Sequence, residues 1–280
     1  PWRRGGTVAV LLAVLVLALT FPPPLPETGE GVAGVVTAAD GTPLRAFADS
    51  EGVWRYPATP DTVSPLYVQA PLGYEGRWFH YHPAVNPSAM ARAALQWLRS
   101  GGIVSGGSTL TMQVARILDG SPTRSATGKL RQAARALQLE ARLSKRQILQ
   151  LYLERAPFGG TIEGVEAASW AYLGKPASRL SHAEAALLAV LPQAPSRLRP
   201  DRHPQAAQAA RDKVLARMQA LGTWTADEVD DARIEPVDDR SEVTARDLEH
   251  LARPAGAVER ADLRARGGLD REQRQRGHER

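Results

Sequence analysis

Ser144-Lys145-Arg146-Gln147-Ile148-Leu149-Gln150-Leu151-Tyr152-Leu153 is the stretch on which the fold turns. A hydroxyl followed three residues later by an amide is a capping box, in which each side chain bonds the other's backbone N–H at a helix start. Apolar residues then recur at helical spacing. Two further boxes, Ser181-x-x-Glu184 and Thr225-x-x-Glu228, open segments of the same kind. Upstream, Asn86-Pro87 reads as an N-cap with a first-turn proline, Met90, Ala93, Ala94, Trp97 and Leu98 follow at helical spacing, and Gly101-Gly102 ends the run. These signals predict a mostly α-helical domain over residues 60–236, a single domain by length.

On its amino-terminal side, short apolar runs between Gly31 and Phe47 flank Asp40-Gly41, which predicts a short β-hairpin within a linker over residues 25–59. Earlier still, Arg3-Arg4 precede an uncharged run of 17 residues from Gly5 to Phe21, a helix of roughly 26 Å, at the short end of what spans a bilayer. Residues 1–24 are expected to form an uncleaved membrane anchor with its amino terminus inside and everything after it exported. A cleaved signal peptide is the alternative, although no small-x-small site precedes Pro22-Pro23-Pro24. At the other end, residues 259–280 hold 12 charged residues and two leucines, too little apolar surface to offset the entropy of ordering. Residues 237–280 are therefore expected to be a disordered tail or the frame-shifted end of a longer protein.

The composition narrows the chemistry. Of 280 residues, 43% are hydrophobic, which excludes a wholly disordered chain, and 23% are charged, which excludes a polytopic membrane protein. Thirty-five Lys and Arg against 30 Asp and Glu give a net charge of +5. The absence of cysteine removes disulfides, thiolate zinc sites, iron–sulfur clusters and cysteine nucleophiles.

Four segments can carry chemistry. Tyr74-Glu75-Gly76-Arg77-Trp78-Phe79-His80-Tyr81-His82-Pro83 sets a carboxylate among rings, where its pKa can rise into the general-base range; the plainer reading is a surface Glu75 paired with Arg77. His80 and His82 are too sparse for a metal site. Ser105-Gly106-Gly107-Ser108-Thr109-Leu110-Thr111-Met112-Gln113 brings glycines and hydroxyls to a helix start, either a phosphate cradle or an ordinary capped loop. Between Arg124 and Arg142, Arg131, Arg135 and Arg142 fall on one helical stripe, ordinarily a solvated face, opposite a buried face of Leu130, Ala133, Ala134, Leu137 and Ala141. On an exported chain such a stripe suits anionic lipid head groups or a lipid diphosphate, not nucleic acid. Tyr152 to Gly160 and Leu191 to Pro200 read as ordered loops at helix exits.

Taken in order, Glu75-x-x-x-Phe79-x-x-His82, Gly106-Gly107-Ser108-Thr109-Leu110-Thr111-Met112-Gln113, Lys129 with Leu139-Glu140 and Ser144-Lys145, and Leu191-Pro192-Gln193-Ala194-Pro195 resemble the motif series of the peptidoglycan glycosyltransferase domain of class A penicillin-binding proteins, glycosyltransferase family 51. The resemblance covers roughly residues 30–235. It implies a lysozyme-like, mostly α-helical domain held on the periplasmic face of the inner membrane by one membrane helix. The implied reaction polymerises lipid II into glycan strands, inverting the anomeric centre and releasing undecaprenyl diphosphate. Glu75 matches the general base. Arg77, His82, Ser108, Thr109, Gln113, Arg124, Lys129, Arg131 and Gln132 match substrate or diphosphate positions. Lipid II, the growing strand and the inner membrane are the implied partners, with other cell-wall synthesis proteins as candidates. No cofactor is called for, although the family can place a divalent cation (Mg or Mn) on the diphosphate; the sequence offers no cage for one.

Several positions depart from the family pattern. Gly76 stands where the family has Asp, Ala84 where it has Gly, Glu154 where Asn is usual, and Gln132 where most members carry a second carboxylate. Gly76 removes a charge and adds backbone freedom beside the base, so a catalytically impaired, lipid II-binding remnant is the alternative to an active polymerase. A lysozyme-like hydrolase is disfavoured because no second acid is evident to protonate a sugar leaving group. The sequence contains no Ser-x-x-Lys, Ser-x-Asn or Lys-Thr-Gly, so acylation of this chain by penicillin is not expected.

Overall fold

In the computed structural model the described residues are 25, 34–37, 43–50, 52–75, 79, 84, 108–120 and 126–237. The expected membrane segment at 1–24, the helix expected at 86–100 and the tail from 238 onward lie outside them. Among the described residues no helix is long and apolar enough to cross a membrane.

β1 (Gly34–Thr37) pairs antiparallel with β2 (Pro43–Phe47), the hairpin expected around Asp40-Gly41. Helix α1 (Pro65–Glu75) begins with a proline at its first position, where the missing N–H costs nothing. Its start is fixed from outside, because the Ser64 N–H donates to the Ala177 carbonyl at 2.9 Å. α2 (Leu110–Asp119), α3 (Ala126–Arg142) and α4 (Lys145–Arg155) form a packed group. α5 (Val165–Leu173), α6 (His182–Val190), the single-turn α7 (Pro195–Leu198), α8 (Pro204–Ala220) and α9 (Ala226–Ile234) complete the helices of the described region. All three capping boxes read from the sequence are formed, with reciprocal bonds at Ser144/Gln147, Ser181/Glu184 and Thr225/Glu228.

α6 occupies the centre. Ala183 and every residue from Ala185 to Val190 are buried, packed against α1, α8 and α9. A helix apolar on every side has no solvent face to offer, so it orders its neighbours around it. One of these neighbours is held by charge: Arg211 on α8, 1% exposed, donates to the carbonyl oxygens of Glu235 at 2.5 Å and Arg233 at 3.3 Å, and to the Asp212 carboxylate. It thereby receives carbonyls at the end of α9 that no helical N–H can reach.

The two segments read only as ordered loops fold against each other. β4 (Pro157–Gly159) and β5 (Ile162–Glu163) pair antiparallel, and β3 (Trp54–Arg55) joins β5 in parallel, giving the order β3-β5-β4. Strands of two and three residues are too short to show alternation, which is why the sequence does not reveal them. Arg55 bridges the sheet to Glu163 at 2.7 Å and to Asp49 at 3.3 Å. Arg199, from the second segment, makes two bonds to Asp201 and lays its aliphatic stem where a Cβ on Gly159 would stand.

One expectation is overturned. Arg135 does not share a solvated stripe with Arg131: it is 5% exposed, donates to Gln138 at 3.2 Å and lies 3.5 Å from Asp119. Ala141, assigned to the buried face, is exposed. α3 instead buries Gln132, Ala133, Ala136 and Leu139, and the Asp119 carboxylate at the end of α2 gives Arg135 a counter-charge that makes its burial tolerable.

After α4 the chain returns to cross over the helix's end, and Gly164 makes this possible. Its φ is +82°, and a Cβ there would sit 2.6 Å from the Glu154 carbonyl oxygen. Gly164→Ala is expected to destabilise the protein by on the order of 2–4 kcal/mol, adding positive-φ strain to a backbone clash; urea unfolding measures this, and an unchanged midpoint would show that the crossing is looser than described.

Candidate active site

The candidate site is built on the first turn of α2. Thr109 caps the helix in extended conformation, its hydroxyl oxygen accepting from the Met112 N–H at 3.2 Å. The same hydroxyl donates to the Ala84 carbonyl at 2.5 Å, and so fastens the far end of the Glu75–Ala84 segment to the helix. Thr109, matched by resemblance to a substrate or diphosphate position, gives its one proton to Ala84 in this structure. Gln113 contributes its backbone N–H to the Thr109 carbonyl at 3.0 Å.

Ser108, half-buried just before the cap, accepts from the Lys129 ammonium at 2.7 Å. Its own proton remains for an acceptor of another kind. Lys129 also donates to the Gln132 side-chain oxygen at 3.1 Å, and the Gln132 amide NH₂ donates to the Met112 carbonyl at 2.5 Å. Gln132 is 4% exposed. Burial pushes the Lys129 pKa below its usual value, and the Arg116 guanidinium lowers it further.

A second polar cluster joins the other end of α3 to the same turn. The Thr111 hydroxyl donates to Glu140 at 2.7 Å, and Lys145, first residue of α4, donates to the same carboxylate oxygen at 2.5 Å. The Lys145 ammonium also lies 4.8 Å from the centre of the Phe79 ring, which is 1% exposed. Thus the segment after Glu75 is held at Phe79 and at Ala84.

Of the residues expected at the site, Ser108, Thr109, Lys129 and Gln132 come together. Glu75 is the last residue of α1. Arg131 is 72% exposed on its side chain and 3.9 Å from Asp119, outside the Ser108–Lys129–Gln132 set. Arg77, His82 and Arg124 lie outside the described residues. The roles of Thr111 and Lys145 were not anticipated; the available signal was Glu140 and Lys145 facing each other across the break between two helices. The described donors around Lys129 are a hydroxyl, an ammonium and an amide, and the Glu140 carboxylate is already bridged by Thr111 and Lys145. That set does not fit a divalent cation, which needs several free oxygen ligands.

A domain of packed helices with a cationic, hydroxyl-bearing helix start is matched over residues 40–219 by the family model described as Transglycosylase, and the chain belongs to that family. The chain is 61% identical over 242 residues to penicillin-binding protein 1C of Escherichia coli (strain K12), covering 84% of this chain and 31% of the relative. It is 37% identical over 183 residues to penicillin-binding protein 1A of Aquifex aeolicus (strain VF5), covering 65% of this chain and 25% of that protein. The crystal structure of penicillin-binding protein 1A from Haemophilus influenzae superposes with a TM-score of 0.43 at 21% identity, over 74% of this chain and 21% of that one. The chain spans less than a third of the length of these curated relatives.

Thr109→Val, which keeps the shape and removes both hydroxyl bonds, is expected to cost about 1–3 kcal/mol. Thr109→Ser should recover most of that loss. Chemical denaturation of the three proteins checks it; a valine variant as stable as the native chain would remove the tie to Ala84.

Proposed function

We propose that the chain carries a peptidoglycan glycosyltransferase that joins lipid II units into glycan strands. The observation that supports it most is the pairing of the Lys129 ammonium with the Ser108 hydroxyl at a helix start fastened to the segment that follows Glu75. The leaving group of this reaction is a diphosphate, a weak base that needs positive charge and hydrogen-bond donors more than it needs a proton.

In the proposed reaction the acceptor sugar's 4-hydroxyl attacks the anomeric carbon of the donor strand. The Glu75 carboxylate takes the hydroxyl proton as the new C–O bond forms. The bond to the lipid diphosphate breaks on the opposite face, its electron pair leaves with the diphosphate, and the anomeric centre inverts. Lys129 and the Ser108 proton face the charge that develops there, with Arg124, Arg131 and Arg77 adding to the positive field and His82 and Gln113 orienting the sugars. In this reading the helical domain is lysozyme-like and sits at the periplasmic face of the inner membrane, anchored through residues 1–24. The second reading, a binding remnant without turnover, draws on Gly76 beside the base.

Incubating the full chain with labelled lipid II tests both. Strand formation is expected, and Glu75→Gln should slow it by roughly 10²–10⁴-fold, the usual contribution of a general base. Strands formed equally by the Gln variant would exclude Glu75 as base. Binding without strands, together with strands from Gly76→Asp, would favour the remnant.

A further inference from the structure

Gln132 lies between two groups that fix which way its amide must face. Lys129 can only donate, and the Met112 carbonyl can only accept. A side chain bridging them must accept at one end and donate at the other, as an amide does at 3.1 Å and 2.5 Å. An ionised carboxylate in this buried place would satisfy Lys129 and set an oxygen against the Met112 carbonyl. It would also neutralise the ammonium.

With the amide, both described acceptors of Lys129, Ser108 Oγ and Gln132 Oε1, are neutral. Among the described side chains, the other charged groups of the packed elements are of the same sign or already engaged. Arg116 on α2 repels the ammonium. Asp119, also on α2, faces Arg131 and Arg135, and Lys145 on α4 is joined to Glu140 at the far end of α3. The ammonium also stands near the start of α2, where the helix dipole is positive.

We propose that Gln132 is a positioning residue that holds the Lys129 ammonium against Ser108 with no carboxylate partner among the described residues, reserving its charge for a ligand bearing a diphosphate. This rests on the diphosphate reading of the site above. Gln132 touches no ligand; it acts through Lys129. Because Lys129 titrates below its usual range, its affinity for an anion falls as pH rises through that lowered value and the ammonium becomes neutral.

The chain has four lysines, so isotope-labelled lysine side chains can be followed one by one by NMR while inorganic pyrophosphate is titrated into the full chain. Lys129 is expected to titrate below the usual lysine value, and pyrophosphate binding to weaken with the same pH midpoint. In Gln132→Glu the Lys129 midpoint should rise and pyrophosphate should bind roughly tenfold more weakly at neutral pH, since the ligand then competes with an internal carboxylate. Gln132→Met, which removes both hydrogen bonds without adding charge, should leave the Lys129 midpoint low and weaken binding only severalfold. This variant also keeps the proposal testable should the glutamate variant not fold. Native affinity and a native Lys129 midpoint in Gln132→Glu, or native affinity in Gln132→Met, would overturn the role of Gln132. Lys129→Met serves a different purpose: if it binds pyrophosphate as the native chain does, the diphosphate reading itself fails, whatever Gln132 does.

Discussion

The first turn of α2 is the constraint on which the site depends, because three of its residues are tied to different parts of the chain. Thr109 gives its proton to Ala84, Thr111 to Glu140, and the Met112 carbonyl receives the amide of Gln132. A helix start has unpaired N–H groups in any case; here Thr109 caps one of them while its proton reaches outward. Moving α2 by one residue would break all three links together. The segment after Glu75, the start of α3 and its end are therefore placed relative to one another by a single turn.

The apolar body makes that placement rigid. α4 buries Ile148, Leu149, Leu151, Tyr152 and Leu153, and α6 is buried nearly throughout. Polar links such as Gln132 to Met112 are worth little against water but a good deal where no water competes. They also become costly when half-made, so the network favours one arrangement over its near neighbours. Arg211 plays the same part at the other end of the molecule, closing α9 onto α8 by donating to two carbonyls past the last helical N–H that could reach them.

How much of this was legible in the sequence follows from the range of each interaction. The capping boxes were visible because both partners lie within four residues. The hairpin was visible because a two-residue turn signal separates its strands. Arg135 defies its stripe because its counter-charge, Asp119, belongs to another helix and leaves no mark within α3. The β3-β5-β4 sheet joins residues more than a hundred positions apart through strands too short to leave a pattern. In the site, Ser108, Lys129 and Gln132 were assembled by resemblance to a family and not by periodicity. Thr111 and Lys145 stand in the quoted motifs, but their shared bond to Glu140 joins three helices and leaves no local pattern.

The replacement of a carboxylate by Gln132 has a physical consequence for the proposed reaction. Stabilising charge on a leaving group helps only to the extent that it is greater in the transition state than before it. An ammonium already paired with an internal carboxylate must lose part of that pairing to meet the developing charge, and the loss offsets much of the gain. An ammonium held by a hydroxyl and an amide has no such competitor. What holds it in place is geometry rather than opposite charge, and the geometry is supplied by the Met112 carbonyl through Gln132. The cost falls on the resting protein, which keeps a half-buried cation near another cation, Arg116, and near a positive helix end. A site that stores repulsion in this way is relieved by an anion, and a diphosphate relieves it more than a single phosphate does.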